Sequence, residues 1–141
     1  MGDRRGEGAT LNNLGELARS LGRQEKARTY YEQALAIRRE VGDRAGEGTT
    51  LNNLGFLANS LGRKDEALRY FEQALAITRE VGNRAGEGTT LHNMGGLAEE
   101  LGRTQEARAY YEQAMVIYSA IGADADVQDE VEALRRLDAT E

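Results

Sequence analysis

The sequence predicts an all-α protein: an α-solenoid of three antiparallel helix-hairpin repeats followed by a C-terminal capping helix. Three observations carry that prediction. The phrase Thr10-Leu11-Asn12-Asn13-Leu14-Gly15 returns as Thr50-Leu51-Asn52-Asn53-Leu54-Gly55 and as Thr90-Leu91-His92-Asn93-Met94-Gly95, so equivalent residues differ by 40 and the chain is a tandem array. Within each copy the apolar residues recur at spacings of three and four, which marks one wide helical face. A Gly punctuates the chain after each such stretch, at Gly22, Gly42, Gly62, Gly82, Gly102 and Gly122, where a helix needs a C′ residue.

The repeats are placed at 2–41, 42–81 and 82–121, making a domain over 1–122, with the capping helix at 123–141. Each repeat opens on a turn, Gly42-Asp43-Arg44 or Gly82-Asn83-Arg84, whose Asp or Asn caps the next helix, and Gly2-Asp3-Arg4 begins at the same phase. The chain thus starts on a repeat boundary, as expected of an excised fragment or a designed array. The opening helix of the first repeat carries Leu11, Leu14, Leu17, Ala18 and Leu21. Leu-Gly-Arg at 21–23, 61–63 and 101–103 leaves room only for an antiparallel return. The second helix carries Ala27, Tyr31, Ala34, Leu35, Ile37 and Val41, with Ala67, Phe71, Ala74, Leu75, Ile77 and Val81 one repeat later. Small residues such as Gly15 and Ala27 are expected to let the two helices approach while Tyr31 and Leu14 fill the space beside them. The pairs Gly6/Gly8, Gly46/Gly48 and Gly86/Gly88 fall in the first helical turns, where each costs up to about 1 kcal/mol relative to Ala. They are expected to admit the preceding repeat's second helix, or to leave a helix start loose enough to flex on binding. From Asp124 to Asp138 a last helix places Val127, Val131, Leu134 and Leu137 on one face, backed by Asp129, Glu130, Glu132, Arg135 and Arg136.

The pattern Leu51-x2-Leu54-Gly55-x2-Ala58, then Ala67-x3-Phe71-x2-Ala74, resembles the tetratricopeptide repeat, and the resemblance covers about residues 2–121. About 29 of 40 positions agree between the first two repeats and about 23 of 40 between the second and third. Two departures stand out: Ala18, Ala58 and Ala98 occupy a position where the family usually has Tyr, and the Pro that closes the common 34-residue repeat is missing from a repeat six residues longer. The longer form is similar to the repeats of kinesin light chains, spindle-orientation adaptors and bacterial multidomain regulators. The resemblance implies a scaffold that binds an extended peptide or partner segment in a concave groove lined by the opening helices.

Within that groove the resemblance maps Asn13, Asn53 and Asn93 to a ladder pairing with a ligand's main chain. An Asn amide offers both a donor and an acceptor, so the chemistry suits a peptide unit; equally, these residues could bond neighbouring helices and tie the repeats together. Asn12, Asn52 and His92 lie one residue earlier, nearer the next repeat. Helical spacing groups Thr49, Asn53, Phe56 and Ser60 on one face, and Thr89 is the later equivalent of Thr49. Phe56 stands where the flanking repeats have Glu16 and Gly96, as an apolar anchor or as a filler above Gly96. The Lys and Arg with which some family members clamp a C-terminal carboxylate are replaced by Asn12, Thr89 and Asn93, and Glu16, Glu99 and Glu100 make the groove mildly acidic, which favours a basic or neutral peptide.

Composition limits the other classes. No cysteine is present, so there is no disulfide framework, and the start Met-Gly-Asp-Arg-Arg lacks a signal peptide's apolar core; the chain reads as cytosolic, with no membrane partner. A net charge of −6 disfavours nucleic acid. Lone His92 has no companion for a metal site, Asp124 and Asp126 begin a calcium-loop pattern that is not completed, and no cofactor or catalytic constellation is expected. Pairs such as Arg39/Glu40 and Arg79/Glu80 look like solvated helix faces. No cap precedes the first repeat, so its apolar outer surface predicts either missing upstream repeats or a homo-oligomer formed through the N-terminal repeat.

Overall fold

The computed structural model describes residues 3–140, and among them every regular element is a helix. There are seven: α1 Arg4–Ser20, α2 Gln24–Glu40, α3 Arg44–Ser60, α4 Lys64–Val81, α5 Arg84–Glu100, α6 Thr104–Ala120 and α7 Asp124–Thr140. Consecutive helices pack in pairs as an all-α solenoid of hairpin repeats.

The hairpin geometry follows from contacts along its length. Gly15 of α1 faces the ring of Tyr31, whereas Gly8, two turns earlier, faces Ile37 and Arg38, two turns later on α2. Residue numbers that fall on one helix as they rise on the other define antiparallel helices. The same pairs recur in α5 and α6 as Gly95 with Tyr111 and Gly88 with Tyr118. A Cβ on Gly15 would lie 2.6 Å from two carbons of the Tyr31 ring. Gly15 therefore makes room for a buried aromatic ring rather than for close approach of backbone at Ala27.

Between α1 and α2, Gly22 adopts φ +77°, Arg23 N–H donates to Ala18 O at 2.8 Å and Gly22 N–H to Arg19 O at 3.0 Å. That pairing satisfies carbonyls the helix end would otherwise leave open, and only Gly takes this backbone without strain. At the start of α3, Asp43 Oδ1 accepts from Gly46 N–H at 3.0 Å, and Asn83 does the same for Gly86 at 2.9 Å. The glycine pairs thus have two different jobs. Gly46 and Gly86 sit over the capping side chains Asp43 and Asn83, with Arg38 of the preceding helix also against Gly46, while Gly8 and Gly88 admit the second helix of their own hairpin. Of Gly6, Gly8, Gly46, Gly86 and Gly88, Gly46 is the one that meets the preceding repeat's second helix as expected.

The chain gathers into two compact units, one up to Ile77 and one from Thr78, with the division inside α4. The core of the first contains Ala18, Ala27, Tyr31, Leu51, Leu54, Leu57 and Ile77. That of the second contains Ala98, Ala107, Tyr111, Ala133 and Leu137, the last two supplied by α7. The Arg/Glu pairs at helix ends are not simply solvated. Arg39 Nε donates to Glu47 at 2.9 Å and Arg44 Nη1 donates to the same carboxylate at 2.8 Å, holding a buried Glu between successive helices. Arg79 and Arg84 repeat this on Glu87.

Candidate functional site

In the first unit the opening helices α1 and α3 meet through a buried polar chain. Arg38 is only 8% exposed, a position that is costly for a charge unless its hydrogen bonds are met. Its Nη1 donates to Gly46 O at 3.0 Å and to Thr50 Oγ1 at 2.9 Å, and its Nε lies 3.7 Å from Asp43 Oδ2. Thr50 then donates to Asn12 Oδ1 at 3.1 Å, and Asn53 Nδ2 donates to that same oxygen at 3.1 Å. Asn12 is thereby locked in the interior by the next opening helix.

The other sequence-selected residues of this unit lie nearer the surface. Asn13 and Thr49 are exposed, and Asn52 and Asn53 are half-buried. The Thr49 hydroxyl donates to Ala45 O within its own helix at 3.2 Å. Phe56 is 44% exposed and meets Phe71 edge-on, with ring centroids 5.8 Å apart. Of the first unit's predicted site residues, Asn12 and Asn53 are joined by a direct hydrogen bond.

In the second unit the same 40-residue register carries different chemistry. His92 stands where Asn12 does, and Glu130 of α7 stands where Thr50 does. His92 Nδ1 and Glu130 Oε1 are 2.6 Å apart; Glu130 is fully buried, and its second oxygen has no partner among the described residues. The Glu130 carboxylate raises the affinity of His92 for its proton, against a smaller opposing effect of burial. Beside it, Arg136 forks onto both oxygens of Glu99 at 2.8 Å, and Tyr111 Oη donates to Glu99 at 2.8 Å. The guanidinium bonds hold the Glu99 carboxyl below its usual range, while burial and then the Glu99 bond push the Tyr111 phenol up. Thr89 is exposed and shares a hydrogen bond with Tyr118 Oη at 3.2 Å; Asn93 is half-buried.

These groups wall an open cavity of about 660 Å³ between α5, α6 and α7. His92, Gly96, Glu99 and Tyr111 form one side; Asp129, Glu132, Ala133 and Arg136 of α7 form the other. Shifted back by two repeats, the α7 positions are Thr49, Asn52, Asn53 and Phe56, and His92 becomes Asn12. Five residues selected from the sequence in the first unit thus hold the register positions that line a cavity in the second.

Sequence reasoning assigned Glu130, Asp129 and Arg136 to the solvated back of the last helix. Instead Glu130 is its most buried side chain, and Asp129 and Arg136 face the cavity. The available signal was the register itself, because α7 continues the 40-residue phase of α1, α3 and α5. Among the described residues no group of three or more His, Cys, Asp or Glu side chains could hold a metal ion, and no helix is long and apolar enough to cross a membrane.

The sequence profile of the tetratricopeptide repeat matches residues 1–40 and 46–120, and the chain belongs to that family. No curated protein is significantly similar to it. Among solved structures, BtubC (BKLC) from P. vanneervenii is similar at a TM-score of 0.77 with 21% identity, over 99% of this chain and 66% of that one. Aspartyl phosphate phosphatase F from Bacillus subtilis superposes at 0.90 with 14% identity, over 97% of this chain and 36% of that one. The nearly identical TPR-like repeats of a putative kinesin light chain from Podosopora anserina give 0.72 with 20% identity, over 99% of this chain and 77% of that one. The chain spans about two thirds of the first and about a third of the second, and the likeness is one of fold.

Proposed function

We propose that the chain is a non-catalytic protein-interaction scaffold that holds an extended peptide or partner segment along the face of its opening helices. The observation that supports this most directly is the cavity of about 660 Å³ in the second unit, whose register positions are those of Asn12, Thr49, Asn52, Asn53 and Phe56 in the first. Asn13, Asn53 and Asn93 supply amide donors and acceptors to the ligand's main chain, Thr49, Thr89, Asn52 and His92 add polar contacts beside them, and Phe56 offers an apolar ring. The walls carry Glu99, Glu100, Asp129 and Glu132 against Arg136, so a peptide bearing Lys or Arg is preferred to one bearing Asp or Glu. Asn13 is the cleanest probe, since it is exposed, whereas Asn53 also donates to Asn12. Asn13→Ala is expected to weaken binding of a Lys-containing extended peptide by roughly two- to tenfold, about the 0.5–1.5 kcal/mol of one hydrogen bond. Isothermal titration with the Asn13→Ala protein, at unchanged helix content, checks it; unchanged affinity removes the ladder from the binding surface.

A second reading rests on the outer face of α1. Leu17 is 55% exposed and Leu21 is 60% exposed, whereas Leu57, the equivalent of Leu17, is 1% exposed in the same unit. A second copy of the chain seated on this face would bury it as α3 is buried, and the oligomeric state in solution tests that.

A further inference from the structure

We propose that the seating of α7, and with it the cavity between α5, α6 and α7, is gated by protonation of His92 on the buried Glu130. The use of the gate rests on the binding surface proposed above; the gate itself is a property of α7 and is measured without any peptide.

The comparison internal to the chain is what makes this node unusual. Where α1 meets α3, the register position holds a cluster with no group that titrates near neutrality: Asn12 accepts from Thr50 and Asn53, and the Arg38 guanidinium donates to Thr50. Where α5 meets α7, the same position holds His92 against a fully buried carboxylate whose other oxygen finds no partner among the described residues. Amides, a hydroxyl and a permanently charged guanidinium do not respond to pH near neutrality, but a His–Glu pair does. A buried carboxylate facing an imidazolium is a compensated charge; facing a neutral ring it keeps a hydrogen-bond donor and loses its counter-charge. Four cavity-lining residues, Asp129, Glu132, Ala133 and Arg136, belong to α7, so unseating α7 dismantles that wall.

The other charged groups around His92 do not reverse the effect. From α7, Asp129 favours the charged ring and Arg136 opposes it, but Arg136 is committed to Glu99 of α5 through both nitrogens of its fork. Glu132 of α7 and Glu100 of α5 line the same cavity and add negative charge. From α6, Tyr111 lies with its ring centroid 5.8 Å from that of His92 and donates its hydroxyl to Glu99, while Tyr118 is bonded to Thr89. Because His92 holds its proton more tightly with α7 seated than the ordinary value of 6.5 implies, seating is strongest below that value and weakens as pH rises through the raised one.

His92 is the chain's single histidine, so its ring resonances report one titration without ambiguity. We would follow them by NMR while measuring amide hydrogen exchange along α7, with α2 as reference, from pH 6 to 9. In the wild type His92 is expected to titrate above 6.5. Protection of α7, corrected for the intrinsic exchange rate, should fall through the same range by about tenfold for each pH unit separating the seated and unseated values of His92. Glu130→Gln should return the titration toward the ordinary value and remove the pH dependence. His92→Asn with Glu130→Thr, which installs the Asn12/Thr50 pair, should keep α7 protected at every pH. Protection that stays flat in the wild type while His92 titrates, or a slope that survives in Glu130→Gln, overturns the proposal. Should the double variant fail to seat α7, the wild type and Glu130→Gln still decide. None of these arms uses peptide, so loss of the binding-surface reading leaves the result unaffected.

Discussion

Gly15 and Gly96 are both glycines of opening helices, yet a methyl group added to each meets opposite fates. At Gly15 it would lie 2.6 Å from carbons of Tyr31, a fully buried ring on the facing helix that has nowhere to turn. At Gly96 the nearest atom is the Tyr111 hydroxyl at 3.8 Å, an ordinary contact. Helix propensity favours Ala by up to about 1 kcal/mol at both sites, and overpacking costs about 1–3 kcal/mol at the first alone. Gly15→Ala is therefore expected to lower the urea midpoint and Gly96→Ala to raise it slightly. Opposite signs for the pair check the assignment, and a gain at Gly15 refutes it. At this scale the sequence was legible where residue type alone decides, as at the six turn glycines. It was not legible at Glu130 or Arg38, because hydropathy places a charged residue outside whatever partner awaits it inside.

The order of the helices and most of their ends were legible, although α2 and α6 start after Arg23 and Arg103 with no side-chain cap to mark them. A Gly with positive φ ends each of the first six, and an Asx side chain caps α3 and α5. Asp3 holds the equivalent place before α1 but accepts no capping bond from its side chain, whereas Asp43 accepts from Gly46 N–H. Removing a working cap costs about 1 kcal/mol. Asp43→Ala should therefore lose roughly that much in a denaturant titration, with Asp3→Ala losing less; equal losses would remove the Asp43–Gly46 bond as the source of stability at the start of α3. The glycine pairs were harder to interpret, because a Gly that accommodates a cap and one that accommodates a ring look alike in one dimension. Only the contacts of Asp43 and Tyr118 separate them.

For the molecule as a whole, the 40-residue period conveyed the family and the order of helices, but the packing of the chain into units ending at Ile77 and starting at Thr78 has no sequence marker within α4. The apolar face of α1 is also a question for the whole molecule. If a second copy covers Leu17 and Leu21, light scattering should give a mass rising above 15.5 kDa with concentration, and Leu17→Glu with Leu21→Glu should abolish the rise. A mass of 15.5 kDa throughout excludes it. Repeats this alike also pose a sorting problem during folding, since a helix can dock on the wrong copy of its partner. The two buried nodes answer it in complementary codes: a neutral amide matches Thr50, and an imidazolium matches Glu130. Seated against α5 in place of α7, α3 would bring the Thr50 hydroxyl rather than the Glu130 carboxylate to His92, so the pair that makes α7 sensitive to protons also addresses it to α5.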